Sequence, residues 1–139
     1  MTTTLTLQDI KPLTHDTYHL VFAKPAGFTF KPGQAVHFAL DKDGWREEDR
    51  AFTMTSLPDD PALEFVIKSY PSHDGVTEMI PNMTAGDQVL SDAPDGAITD
   101  HGPGVFIAGG AGVTPFIAIL KHQISEGRTG SHLIFANEK

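Results

Sequence analysis

The sequence predicts two kinds of structure in one chain: a small antiparallel β-barrel over residues 1–99, then the opening of an α/β fold over residues 100–139. Three observations carry this reading. Short β-rich runs recur as far as Ser91, each ended by proline or glycine turns, as in a small barrel. Val105-Phe106-Ile107-Ala108 is a wholly apolar run, the pattern of a parallel strand covered on both faces. Directly after it, Gly109-Gly110-Ala111-Gly112 leads into an apolar-periodic helix and a further strand, the order in which a mononucleotide-binding fold begins.

In the barrel, Thr4, Thr6 and Gln8 alternate with Leu5 and Leu7, and Tyr18 to Ala23 and Ala35 to Leu40 continue the β pattern. Lys24-Pro25-Ala26-Gly27 and Lys31-Pro32-Gly33-Gln34 punctuate them, because proline fixes φ and glycine accepts positive φ. Asp41 to Asp49 is a charged surface loop in which Trp45 is a candidate plug without an assigned role. Arg50 to Ser56 is expected to be one strand. Alternation puts Arg50 and Phe52 on one face, with the Thr53 hydroxyl beside them. A guanidinium next to a flat ring suits a ligand with both phosphates and a planar ring; the same residues also read as a half-buried strand that starts with a charge.

Leu57-Pro58-Asp59-Asp60-Pro61 is a turn, and Leu63 to Lys68 is a strand ending in a positive charge. Ser72-His73-Asp74-Gly75 has turn chemistry, and Val76 to Ile80 is expected to form a short helix before Pro81. Such a helix would aim free N–H groups near Gly75, and the Thr77 hydroxyl, at an anion. Gln88 to Ser91 reads as the last barrel strand and Asp92 to Gly104 as the boundary.

Beyond the boundary, Thr114 is placed as N-cap and Pro115 at the first helical position, where its missing N–H costs nothing. Ser125 to Gly130 closes the helix, and Ser131 to Ala136 is a second strand. Gly110-x-Gly112-x-x-Pro115 departs from the common G-x-G-x-x-G pattern by its proline, but it follows a strand and opens a helix. Its glycines let backbone N–H groups approach a pyrophosphate; a plain tight strand-to-helix turn is the competing reading. Because a doubly wound domain needs several more strands, the sequence is expected to be a piece of a longer protein rather than an unusually short one.

Composition removes other classes. Across 139 residues the net charge is −8, with no basic run, which argues against a general nucleic-acid surface. The chain has no cysteine, so it can hold neither a disulfide nor a cysteine-ligated cluster. Nothing resembles a signal peptide or a membrane span, so a cytoplasmic protein is expected, with no membrane partner. The histidines are scattered, and His15 and His19 are four apart on an expected strand rather than a helix, so no metal site is expected. Hydrolase motifs of the G-x-S-x-G or H-E-x-x-H type are missing, and Met54, Met79 and Met83 read as packing.

A strand carrying Arg-x-Phe-Thr, a later Val-Ile-Lys strand, a Gly-Val-Thr helix start and then Gly-Ala-Gly-Val-Thr-Pro together resemble the ferredoxin–NADP reductase family over nearly the whole chain. The family pattern at the first motif is Arg-x-Tyr/Phe-Ser/Thr, within which Phe52 and Thr53 fall. The resemblance implies a six-stranded antiparallel Greek-key barrel that binds FAD, with FMN less expected, and an NAD(P)H-dependent oxidoreductase. It implies that Arg50 holds a flavin phosphate, Ala51 lies beside it, Phe52 packs on the isoalloxazine, and Thr53, the expected catalytic residue, bonds near flavin N5. Val66, Ile67 and Lys68 would line the ribityl and adenosine side, and Gly75, Val76 and Thr77 would cap the pyrophosphate. Gly110, Ala111, Gly112, Val113 and Thr114 would meet the nicotinamide nucleotide. The implied electron acceptor is a ferredoxin, a flavodoxin or an oxygenase component. Two other readings stay open: a flavin-binding module with no NAD(P)H turnover of its own, and a barrel without cofactor that serves protein interaction.

Overall fold

The structure is a computed structural model that describes residues 3–47, 49–69, 79–96, 98 and 100–136. Eight strands and one α-helix are described: β1 (Thr3–Pro12), β2 (Thr17–Ala23), β3 (Ala35–Leu40), β4 (Arg50–Thr53), β5 (Ala62–Lys68), β6 (Gln88–Ser91), β7 (Val105–Gly109), α1 (Thr114–Ser125) and β8 (His132–Ala136). The first six strands form one antiparallel sheet in the order β4-β3-β6-β1-β2-β5. Its two edges come back together just past β4, where Thr55 N–H donates to the Glu64 carbonyl at 2.8 Å and Glu64 N–H donates to Ser56 Oγ at 3.0 Å. The sheet is thereby nearly closed into the barrel that the short-strand pattern predicts.

Alternation decides what fills it. Along β5, Leu63, Phe65 and Ile67 are buried while Glu64, Val66 and Lys68 between them are only partly so. The inward residues of β2, β3 and β5 place Phe22, Phe38 and Phe65 in mutual contact, at centroid separations of 5.9, 5.6 and 5.5 Å. Leu5, Leu7, Leu20, Leu40, Met54 and Val89 belong to the same core, with Trp45 packed against it from the loop before β4. Truncating a fully buried ring such as Phe22 to alanine costs about 3–5 kcal/mol.

The key strand is shorter than the sequence predicts. β4 ends at Thr53, and Met54, Thr55 and Ser56 are buried without extending the strand. Met54 N–H still reaches back to the Gln34 carbonyl at 3.2 Å, but Thr55 has already crossed to β5. Closure of the barrel pulls these residues off the β3 ladder, a long-range effect that local β propensity does not report.

After the boundary, β7 and β8 pair in parallel with α1 between them, the expected β-α-β order. Two local expectations are corrected. Gly110–Val113 forms a 3-10 turn that runs straight into α1, and Val113 is already helical at φ −70° and ψ −22°. Thr114 is therefore the first residue of the α-helix rather than its cap, and Pro115 is the second. Among the described residues the β7–β8 sheet is only partly covered: Phe106 packs on Phe116 of α1 at 5.1 Å, whereas Val105, Ile107 and Ile134 on the other face, and the whole of β8, are exposed. No helix among the described residues is long and apolar enough to cross a membrane.

Candidate functional site

Barrel and α/β segment meet at a cleft of about 260 Å³. The barrel contributes Val66 and Lys68 from the outer face of β5, together with Leu13 and Thr14 from the β1–β2 turn and Thr17 at the start of β2; the other wall is Gly110, Val113, Thr114 and Ile117, with Phe135 from β8. The register explains the meeting. β2 and β5 pair Thr17 with Lys68, so the β1–β2 turn and the cationic end of β5 arrive at the same rim.

Asp16 organises that rim. Its carboxylate accepts the Thr14 and Thr17 hydroxyls at 3.1 and 3.2 Å, lies 3.7 Å from Lys68 Nζ, and its backbone carbonyl accepts Ser69 N–H at 2.7 Å. Burial pushes the Asp16 carboxyl up, but the two hydroxyl bonds and the charges of His15 and Lys68 outweigh it and hold its pKa below the ordinary value. Asp16 stays ionised and keeps the Lys68 ammonium at the cleft.

The glycines opposite differ in what demands them. Gly110 has φ +54°, a conformation side chains rarely adopt. Gly112 has no positive φ and is exposed, and a Cβ built on it would meet no atom within 4 Å. Neither turn geometry nor packing requires glycine at 112. Open space over a backbone at the start of a helical segment is what close approach of an anionic ligand needs.

Of the residues expected at the site, Val66, Lys68, Gly110, Val113 and Thr114 line the cleft together. Ile67 is turned into the core and buried, and its backbone is paired with Tyr18 of β2, so it does not line the cleft. Ala111 and Gly112 belong to the 3-10 turn beside the cleft. Arg50, Ala51, Phe52 and Thr53 lie on β4 rather than on the cleft wall. Arg50 is exposed and donates to the Asp49 carbonyl at 2.6 Å, while half-buried Phe52 stacks on Phe38 at 4.4 Å and 30°. Gly75, Val76 and Thr77 lie outside the described residues, as does most of the short helix expected around them. Leu13, Thr14, Asp16 and Thr17 were not expected; their only signal is the Thr/Asp turn chemistry between β1 and β2, which acquires meaning through the β2–β5 register.

A barrel joined at a cleft to a glycine-turned α/β opening defines the class, a ferredoxin–NADP reductase-like fold. A ferredoxin–NADP+ reductase from Neisseria gonorrhoeae, solved with bound FAD and NADP, superimposes with a TM-score of 0.81 at 21% identity, over 96% of this chain and 56% of that one. The flavohaemoglobin-like FAD/NAD-binding domain of nitric oxide dioxygenase from Vibrio cholerae gives 0.82 at 21% identity, over 98% and 62%. No protein-family model matches the chain. In sequence it is 35% identical over 127 residues to the reductase component of propane 2-monooxygenase from Rhodococcus jostii, which covers 86% of this chain and 34% of that protein. The chain therefore has the ferredoxin–NADP reductase-like fold, is similar in sequence to an oxygenase reductase component, and spans about a third of the length of that relative.

Proposed function

We propose that this chain is the flavin-binding part of an NAD(P)H-dependent oxidoreductase that passes electrons to an acceptor, with residues 1–99 as the FAD-binding barrel and residues 100–139 as the start of the nucleotide-binding lobe. The observation that carries the reading is the cleft itself, which sets the cationic rim of β5 against an open glycine turn leading into a helix. The residues fit a dinucleotide. Phosphates are offered Arg50, Lys68 and the backbone N–H groups of the Gly110–Val113 turn, in a chain whose net charge is −8. A planar ring is offered Phe52, whose position is fixed by stacking on the buried Phe38 ring.

Bound FAD would supply the acceptor for a hydride delivered from NAD(P)H and release the electrons onward. The chain's own contribution is alignment. Thr53 stands at the end of β4, outside the cleft wall, and Thr114, buried at the first turn of α1, lines the cleft. Leu13, Ile117 and Phe135 would give a bound nicotinamide or flavin ring apolar contacts in the cleft. By analogy with the oxygenase reductase relative, the acceptor is an oxygenase component or a ferredoxin.

A second reading, a flavin-binding module without turnover, is favoured by the uncovered face of the β7–β8 sheet, since parallel sheets are ordinarily covered on both sides. Anaerobic addition of NADH or NADPH to the FAD-loaded chain separates the two. Bleaching of the flavin band supports the reductase, and a band that persists with both nucleotides leaves the module.

A further inference from the structure

α1 is fastened to the barrel next to the strand proposed to meet the flavin. Lys121 Nζ donates to the Thr55 carbonyl at 3.0 Å, two residues beyond Thr53. The bond is asymmetric in origin. Thr55 is buried, and its own N–H is satisfied inside the barrel by Glu64 of β5, whereas its carbonyl is bonded from outside, by the helix. A buried carbonyl deprived of its donor carries a desolvation penalty, so the barrel holds the lysine as much as the lysine holds the barrel.

Helical periodicity gives the contact its reach. Thr114, Ile117 and Lys121 are spaced by three and four residues and share a face of α1; the first two line the cleft, and Lys121 lands on the barrel one turn further on. At the barrel's Lys31–Gln34 turn, Ile119 Cδ1 sits 3.0 Å from the place a Cβ would occupy on Gly33. α1 is thus a rigid lever with its start at the cleft and two fastenings on the barrel.

We propose that Lys121 is a positioning residue, a latch that fixes the start of α1, and with it Thr114 and the glycine turn, at a set distance from Thr53. The proposal deepens the reductase reading and rests on it for its consequence, since a fixed separation between the glycine turn and the end of β4 is what direct hydride transfer requires. A lysine donating to a single carbonyl suits this role: it is attached through a flexible stem and released without breaking the core.

The test exploits the absence of cysteine in the chain. Spin labels on Ile124→Cys, exposed on α1, and Asp59→Cys, in the exposed turn before β5, report the separation of lever and barrel by pulsed electron resonance. The latch predicts one narrow distance in the parent, loss of that single distance in Lys121→Met, and its recovery in Lys121→Arg, which keeps the donor. An unchanged distribution in Lys121→Met overturns the proposal. So does equal broadening in Lys121→Met and Lys121→Arg, which makes position 121 a packing site. In the FAD-loaded chain, Lys121→Met should slow reduction by NAD(P)H on the order of tenfold while dithionite reduction stays unchanged. If the parent itself is not bleached, the hydride-transfer reading falls, and the latch is judged on the distances alone.

Discussion

Gly112→Ala separates the two meanings of the glycine-rich turn. A glycine kept for a tight turn has positive φ or a crowded Cβ position, and Gly112 has neither: nothing lies within 4 Å of a Cβ built there. Alanine therefore meets no protein atom, and by narrowing the unfolded ensemble it should leave stability unchanged or raise it by about 0.4–1 kcal/mol. The methyl group instead occupies the space through which a phosphate would approach the turn's N–H groups. Losing one or two charge-assisted hydrogen bonds, at about 1.5–3 kcal/mol each, weakens dinucleotide binding by roughly ten- to a hundredfold or more. Urea unfolding gives the first quantity, and the concentration dependence of NAD(P)H-driven flavin bleaching gives the second. Strong destabilisation by Gly112→Ala would mean that the turn itself needs the glycine. Bleaching with unaltered concentration dependence would mean that no ligand approaches there.

Gly33→Ala should behave in the opposite way. Its φ is +93°, and a Cβ would lie 2.5 Å from the Ile98 carbonyl oxygen and 3.0 Å from Ile119 Cδ1, so left-handed strain of about 1–2 kcal/mol adds to overpacking of about 1–3 kcal/mol. A loss of about 2–5 kcal/mol in urea unfolding is expected, and a change under about 0.5 kcal/mol would contradict the docking of α1 on this turn. Asp100 predicts the acid limb. Burial pushes its carboxyl up, but hydrogen bonds from Gln123, the Gly102 N–H and Arg128, with the Arg128 charge, leave its pKa below the ordinary value. A depressed folded-state pKa stabilises the protein above the unfolded value and is lost as pH falls through the folded one, so stability should drop below about pH 4. Asp100→Asn should flatten that limb in thermal unfolding between about pH 5 and 2; an unaltered slope would remove Asp100 from it. Thr53→Ala should retain FAD but slow its reduction by NAD(P)H, and stopped-flow rates equal to the parent's would take Thr53 out of the alignment.

What local sequence carries, and what it does not, can be seen element by element. β5 was legible because one strand reports its own alternation: Leu63, Phe65 and Ile67 pack inward whatever the neighbours are. β3 and β6 were read with their observed bounds, since a two-sided pattern bracketed by turns needs no partner to be recognised. Met54 to Ser56 misled because their composition is β-like, while barrel closure, a contact with residues beyond the next turn, takes them off the ladder. Thr114 misled because a 3-10 turn and an α-helix joined end to end have one N-terminus, four residues earlier. The apolar run Val105–Ala108 announces two covered faces, and among the described residues only Phe106 and Ala108, on one face, are even partly buried.

At the site, the glycine turn and the cation of β5 were readable as separate motifs, but their opposition across one cleft was not. The Asp16 centre was invisible for the same reason, because Thr14, Thr17 and Lys68 converge only through the β2–β5 register. A buried polar network under the α/β segment was also missed. Gln123, almost wholly buried, donates to Asp100 at 2.9 Å and to the Gly102 carbonyl at 3.0 Å and accepts the Ser131 hydroxyl at 2.6 Å. It ties the boundary segment to both α1 and the start of β8. A glutamine in an apolar helix gives no local sign of such partners.

The central claim is that the barrel strand Arg50–Thr53 holds a flavin phosphate. Titration of the apo chain with FAD, followed by quenching of flavin fluorescence, tests it most directly when run in parallel on Arg50→Ala. Saturable one-to-one binding in the parent, weakened by roughly ten- to a hundredfold in the variant, is the predicted result, the loss of one charge-assisted phosphate contact. Equal affinity in the two proteins, or no binding in either, would contradict it.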